Sequence, residues 1–211
     1  MSDGCGQTTT LEDSPSTNSF VYNTIQSGGA ERRFIMRLPQ NYDSAQPYRL
    51  ILGFHGATNN ATHVAGNPAF FGLYELAEDS TIFIAPEAVD GIWSADADVT
   101  FVDDMIRRID DALCVDTTQR FALGFSYGGG MSYALACARP NVFRAVAVYS
   151  GAQLSGCSGG TQPVAYFGLH GISDGVLNIS AGRSLRDTFV RNNGCAAQNP
   201  REPSQGSGQH F

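Results

Sequence analysis

Phe121-Ala122-Leu123-Gly124-Phe125-Ser126-Tyr127-Gly128-Gly129-Gly130-Met131 joins two different patterns without a linker. An apolar run of strand character ends at Phe125, and a helix-compatible stretch leaves from Gly129 toward Arg139. Between them stands Gly-x-Ser-x-Gly, the sequence of a strand-to-helix turn that holds a serine hydroxyl beyond the edge of a sheet. Small residues at 124 and 128 relieve the crowding of so sharp a turn, and the start of the helix favours negative charge developing beside Ser126. The plain alternative is a glycine-rich turn with an incidental serine; the strand and helix patterns on either side argue against it. Ser126 is therefore the expected nucleophile.

Working outward, short apolar runs recur at 34–38, 50–54, 82–85, 145–149 and 164–169, and most are apolar on both faces, as strands of a covered parallel sheet are. Phe101, Met105, Ile109 and Leu113 repeat every four residues, as do Met131 with Leu135 and Leu185 with Phe189, so helices alternate with the strands. The class is α/β, a mostly parallel sheet with helices on both faces. Reactive groups then belong in the loops past the carboxyl ends of the strands. Residues 1–20 are rich in Ser and Thr and read as an irregular arm, and 21–211 as a single domain.

A serine hydroxyl needs a histidine base and a carboxylate to orient it, in the chain order Ser, acid, His for such a turn. Asp174 follows the run ending near Leu169, in His170-Gly171-Ile172-Ser173-Asp174-Gly175, at the correct edge of the sheet, and is the expected acid; an ordinary Asp-Gly turn is its bland counterpart. An oxyanion hole combines the amide after the nucleophile, that of Tyr127, with one from an earlier strand's loop. Leu52-Gly53-Phe54-His55-Gly56-Ala57-Thr58 supplies that loop, with Ala57 first and Thr58 next. His55 is expected to brace the loop, His63 to face solvent and His170 to play a structural part. His210 alone follows Asp174, but residues 192–209 hold no apolar run to precede it, so the base is expected in a C-terminal segment beyond this sequence rather than at His210. Trp93, in a Gly/Ser/Asp-rich loop, is the aromatic residue expected to be exposed for substrate contact; Phe70, Phe71 and Tyr127 are further candidates, each as well suited to core packing.

The chain of 211 residues carries thirteen basic side chains, all Arg, against twenty acidic ones, for a net charge of −7. That balance argues against a nucleic-acid partner, and no apolar run approaches the ~20 residues that cross a bilayer. Five cysteines without metal-ligand spacing favour disulfides and hence export to an extracellular location. No metal or other cofactor is expected. Asn60-Ala61-Thr62 and Asn178-Ile179-Ser180 fit the N-glycosylation pattern. Placement along the chain suggests Cys114 with Cys137 and Cys5 with Cys157, leaving Cys195 over, although connectivity is not fixed by sequence.

Taken together, the 52–58 loop, the 124–128 turn and the 170–177 loop resemble those of secreted feruloyl esterases of carbohydrate esterase family 1 and the related polyhydroxybutyrate-depolymerase-like esterases. Arg37-Leu38-Pro39-x-x-Tyr42, Asp98-Val99-Thr100-Phe101-Val102 and Gly128-Gly129-Gly130-Met131-Ser132 add to the likeness. The resemblance implies an α/β-hydrolase fold, a Ser/Asp/His triad and an acyl-enzyme route that releases ferulic (hydroxycinnamic) acid from plant cell-wall arabinoxylan, so the expected partner is a feruloylated polysaccharide. The other readings it leaves are an acetylxylan esterase, a polyhydroxybutyrate-depolymerase-like esterase, and a non-catalytic carbohydrate-binding relic. The resemblance also implies a last strand, a histidine loop and a closing helix, none of which follows Gln198, so the domain is expected to be incomplete at its C-terminus.

Overall fold

The computed structural model describes residues 1–77, 79–196 and 198. His210 lies outside the described residues. Among the described residues seven strands, β1 (Tyr22–Ser27), β2 (Ala30–Arg37), β3 (Tyr48–Phe54), β4 (Thr81–Pro86), β5 (Val115–Phe125), β6 (Ala145–Tyr149) and β7 (Ala165–Leu169), form one sheet in the order β1-β2-β4-β3-β5-β6-β7. Strands β3 to β7 are parallel, whereas β2 lies antiparallel to both β1 and β4. The helices are α1 (Ala61–Ala65), α2 (Leu73–Leu76), α3 (Ala95–Ala112), α4 (Tyr127–Ala138) and α5 (Ile179–Asn192).

Every apolar run read from the sequence is a strand. Strand β1 was not expected, because Tyr22-Asn23-Thr24-Ile25-Gln26-Ser27 has no apolar face to mark it. Its signal was the Gly28-Gly29 pair, which turns between paired Ser27 and Ala30 with both φ values positive, 60° and 82°.

Along β3 the side chains divide the core in two. Leu50, Leu52 and Phe54 join one cluster with Met105 and Ile109 of α3, Met131 and Leu135 of α4, and Leu185 and Phe189 of α5. On the opposite face α1 and the Ala69–Gly72 turn supply Val64 and Phe70, which close over Gly53 of β3 together with Phe83 of β4. Helices thus lie on both faces, but the second layer is short. Over β5 to β7 that face leaves Phe125, Phe167 and Leu169 about half exposed among the described residues.

Residues 1–20 contain no helix or strand, yet they are pinned. Ser2 Oγ donates to the Leu113 carbonyl at 2.6 Å and accepts from the Val115 amide at 2.8 Å, while the Gly4 amide donates to the Asp110 carbonyl at 2.7 Å. The disulfides correct the expected pairing: Cys5 bonds Cys114 and Cys137 bonds Cys157, leaving Cys195 free and exposed. The reason is local. Cys114 sits where the arm crosses the end of α3, and Cys137, on the last turn of α4, meets the loop that follows β6. The first bridge spans 109 residues and the second 20. Loop entropy then predicts that removing Cys5–Cys114 lowers the unfolding free energy by about 5 kcal/mol and removing Cys137–Cys157 by about 3 kcal/mol. Urea titrations of the two double-serine variants check the order.

Candidate active site

Strand β5 ends at Phe125 and α4 begins at Tyr127, so Ser126 alone makes the turn, with φ 56° and ψ −118°. A non-glycine residue is held there only by surrounding structure. Its amide donates to the Tyr149 carbonyl at 2.9 Å, and the Gly130 amide donates to its carbonyl at 2.9 Å. A serine before a helix ordinarily caps it with its hydroxyl. This one makes no side-chain cap, and the residue is half-buried, so the hydroxyl remains available at the sheet edge. The turn demands glycine two residues on: a Cβ at Gly128 would overlap the Phe54 carbonyl oxygen and lie 2.6 Å from the His55 carbonyl oxygen.

That close approach brings the loop after β3 beside the serine. A Cβ built on Gly56 would stand 3.7 Å from the Ser126 Cβ. Ala57 follows, half-buried, next to Thr58 in a left-handed conformation with φ 63°. Three successive carbonyls of this loop are engaged. That of His55 accepts from Trp93 Nε1 at 2.9 Å, that of Gly56 from His55 Nδ1 at 2.8 Å and from the Asn59 amide at 3.2 Å, and that of Ala57 from Thr58 Oγ1 at 2.6 Å. On the other side of Ser126, the amides of the first turn of α4 have no partner within the helix.

The loop that carries Asp174 leaves β7, two strands from β5. Asp174 Oδ1 accepts from the amides of Val176 and Leu177, each at 2.9 Å, and Oδ2 lies 3.6 Å from His170 Nε2. The Leu177 amide, then the Val176 amide, with the Ser150 hydroxyl contributing less, hold the carboxyl below its ordinary range, so it is ionised at neutral pH. His170 Nε2 also donates to the Leu177 carbonyl at 2.7 Å, closing the loop from within.

Paired Phe125, Tyr149 and Leu169 put Ser126, Ser150 and His170 side by side at the carboxyl edge of β5, β6 and β7. Two strand spacings, about 10 Å, separate the first from the last. Ser150 was missed by sequence reasoning. It stands between serine and acid with φ 42°, its amide donating to the Leu169 carbonyl at 2.7 Å, and its signal was its place directly after an apolar run.

His63 is exposed on α1. Trp93 departs from expectation: it is 1% exposed, edge-on to Phe54 at 5.1 Å between ring centroids, and its indole N–H is spent on the His55 carbonyl. Gly, Ser and Asp neighbours mark a loop but do not decide which way its aromatic side chain turns, and here the ring goes inward. Phe70 is buried, and Phe71 is half-buried against Tyr149 at 5.3 Å between centroids. Phe125, 48% exposed, is the aromatic residue that stands open beside Ser126. A cavity of about 510 Å³ lies at the opposite edge, between Thr117, Phe143, Arg144 and Val164, far from this chemistry.

No protein-family model matches the chain. It is 44% identical to feruloyl esterase D of Neurospora crassa, over 98% of this chain and 73% of that protein. The chain belongs to the feruloyl esterase family of carboxylic ester hydrolases. It is also 43% identical to feruloyl esterase C of Emericella nidulans, over 98% of this chain and 74% of that one. A bifunctional acetylxylan esterase/xylanase of Neocallimastix patriciarum is 29% identical over 71% of the chain. Among solved structures, the carbohydrate esterase family 1 ferulic acid esterase of Anaeromyces mucronatus superposes with TM-score 0.66 at 18% identity, covering 83% of this chain and 79% of that one. A thermostable esterase gives TM-score 0.68 at 18% identity, covering 83% of this chain and 52% of that one. The fold of this esterase is the α/β-hydrolase fold.

Burial pushes the His55 imidazole below its ordinary value, against the Gly56 carbonyl and the charges of Glu87 and Asp98, which favour its protonation; exposed His63 adds to the lowering. Its neutral form therefore stabilises the fold at neutral pH, and that contribution is lost as pH falls through the depressed value. The Cε1–H resonance of His55 is expected to titrate with a midpoint below the ordinary histidine value, as a proton NMR titration would show.

Proposed function

We propose that the esterase hydrolyses hydroxycinnamoyl esters of plant cell-wall arabinoxylan, with Ser126 as nucleophile, Asp174 as the triad acid and the Tyr127 and Ala57 amides as the oxyanion hole. The single observation that carries the reading is the strained Ser126, its hydroxyl left out of the helix cap, beside the Ala57 loop. Chain similarity to feruloyl esterases over 98% of the sequence selects the acyl class.

In this mechanism Ser126 Oγ attacks the ester carbonyl carbon while a histidine that follows Asp174 in chain order takes the hydroxyl proton. The C=O electron pair moves to oxygen, where the two amides receive the negative charge. Collapse expels the sugar alkoxide, which takes the proton from the imidazolium, and leaves feruloyl-Ser126. Water then attacks the acyl-enzyme with the same histidine as base, releasing ferulic acid and restoring the serine. Ionised Asp174 orients the imidazole and stabilises its charged form. His210 is the histidine of this sequence in that chain position. No metal or cofactor takes part. Two disulfides support an extracellular site of action.

Likeness to the acetylxylan esterase/xylanase favours a second reading, in which the acyl group is acetyl. Rates on methyl ferulate and p-nitrophenyl acetate separate the two: the first reading expects kcat/KM to favour the ferulate.

Ser126→Ala is expected to abolish turnover and labelling by a fluorophosphonate, and Asp174→Asn to lower kcat about 10⁴-fold with KM little changed. A Ser126→Ala variant that still turns over methyl ferulate would remove the nucleophile assignment. His210→Ala, assayed alongside, loses comparable activity if His210 is the base and keeps it if the base is another histidine.

A further inference from the structure

We infer that His55 is a positioning residue which aims the Ala57 N–H at the oxyanion by gripping the carbonyl of the same peptide. The inference rests on the assignment of Ser126 and the Ala57 amide above. The Gly56 carbonyl and the Ala57 N–H belong to one planar trans peptide and point in opposite directions, so whatever fixes the oxygen fixes the hydrogen. His55 Nδ1–H donates to that oxygen at 2.8 Å. The ring can donate there because its other nitrogen is an acceptor: Nε2 receives the Ala88 amide at 3.1 Å, which fixes the neutral Nδ1–H tautomer. His55 is 1% exposed, so both nitrogens are shielded from bulk solvent.

The 87–94 connection after β4 acts as the strut behind this grip. Besides Ala88, Trp93 Nε1–H holds the His55 carbonyl at 2.9 Å, and the Gly91 carbonyl receives the Thr58 amide at 3.1 Å. The connection is itself clamped at both ends by one buried ion pair. Arg32 reaches Asp98 at 2.6 Å, with side chains 6% and 4% exposed. Arg32 also donates to the Glu87 carbonyl at 3.2 Å, and Asp98 accepts from the Ser94 amide at 2.7 Å. Neither His55 nor Trp93 faces solvent, and none of these groups touches the substrate in this account. Their effect is on direction, and it is felt only when charge appears on the carbonyl oxygen of the substrate.

Three variants test this, with Ser126→Ala as the control for the underlying site. His55→Asn keeps a donor near the place of Nδ1, whereas His55→Ala removes it. On methyl ferulate, His55→Ala is expected to lower kcat about 10²-fold with KM within about twofold, and His55→Asn to recover about tenfold of the loss. Trp93→Phe, which keeps the ring against Phe54, is expected to lower kcat about tenfold by the same split. Affinity for a phenylboronic acid, whose adduct places an oxyanion in the hole, falls in step with kcat. Loss of thermal stability without this kcat-specific split, or equal activity of the alanine and asparagine variants, would overturn the inference while an inactive Ser126→Ala left the site reading standing. A crystal structure of His55→Ala gives a readout free of turnover: a turned or disordered Gly56–Ala57 peptide supports the inference, and an unmoved one overturns it. Should His55→Ala fail to fold, the same structural comparison on Trp93→Phe decides.

Discussion

The contact on which the esterase depends is the one between the first turn of α4 and the end of β3. With hydrogen alone on Gly128, the helix settles onto the carbonyls of Phe54 and His55 at a separation no side chain would permit. Two consequences follow at once. The chain must reverse within a single residue, which forces Ser126 to φ 56°, and the loop after β3 must start beside that residue. The placement of Ser126 beside the loop that carries Ala57 is thus set by a packing constraint between two core elements, not by flexible loops finding each other. The strain at Ser126 is tolerable because β5 is paired on both sides, with β3 and β6, and its last residues are held in register.

Much of this was legible in the sequence because the core elements write strong patterns. Runs such as 50–54 and 82–85 are apolar on both faces only when covered on both faces, and the four-residue repeat from Phe101 to Ile109 admits only a helix. The motif at 124–128 could be trusted for the same reason, since its neighbours fixed its setting. What stayed illegible had weak or ambiguous physical signals. Strand β1 carries no apolar face. Disulfide pairing depends on where an irregular arm crosses the fold, and nothing in the spacing of Cys5 reports that it lies against Cys114. Trp93 shows the limit of composition: its polar neighbours are at the surface, but the indole finds both an apolar wall in Phe54 and an acceptor in the His55 carbonyl by turning inward. His210, the one histidine after Asp174 in this sequence, falls outside the described residues.

Charged residues near the site do structural work. Arg32 and Asp98 are buried as a pair whose remaining hydrogen-bonding groups reach the backbone at Glu87 and Ser94, which is the condition under which a buried ion pair is tolerated. Glu87 likewise joins Tyr22 at 2.9 Å, Arg33 at 2.7 Å and the Ala61 amide at 3.1 Å, tying the antiparallel hairpin to the start of α1. The β1–β2 hairpin, remote from Ser126 in sequence, thereby becomes part of the support for the loop that faces it.

The three arms of the site are not held with equal firmness. The β3 arm stands on buried Phe54 and His55, and the serine arm on buried Leu123 and Gly124. The Asp174 arm leaves β7, a strand of five residues in which four are exposed and which pairs on one side among the described residues. Local stability follows burial, and β7 buries none of its residues whereas β3 and β5 bury several each. Asp174 is accordingly anchored by its own loop, through the Val176 and Leu177 amides and His170, more than by the sheet. Phe125 and Leu169, each about half exposed, end the strands that lead into Ser126 and the 170–177 loop, so both turns leave the sheet beside open apolar surface rather than from within the core.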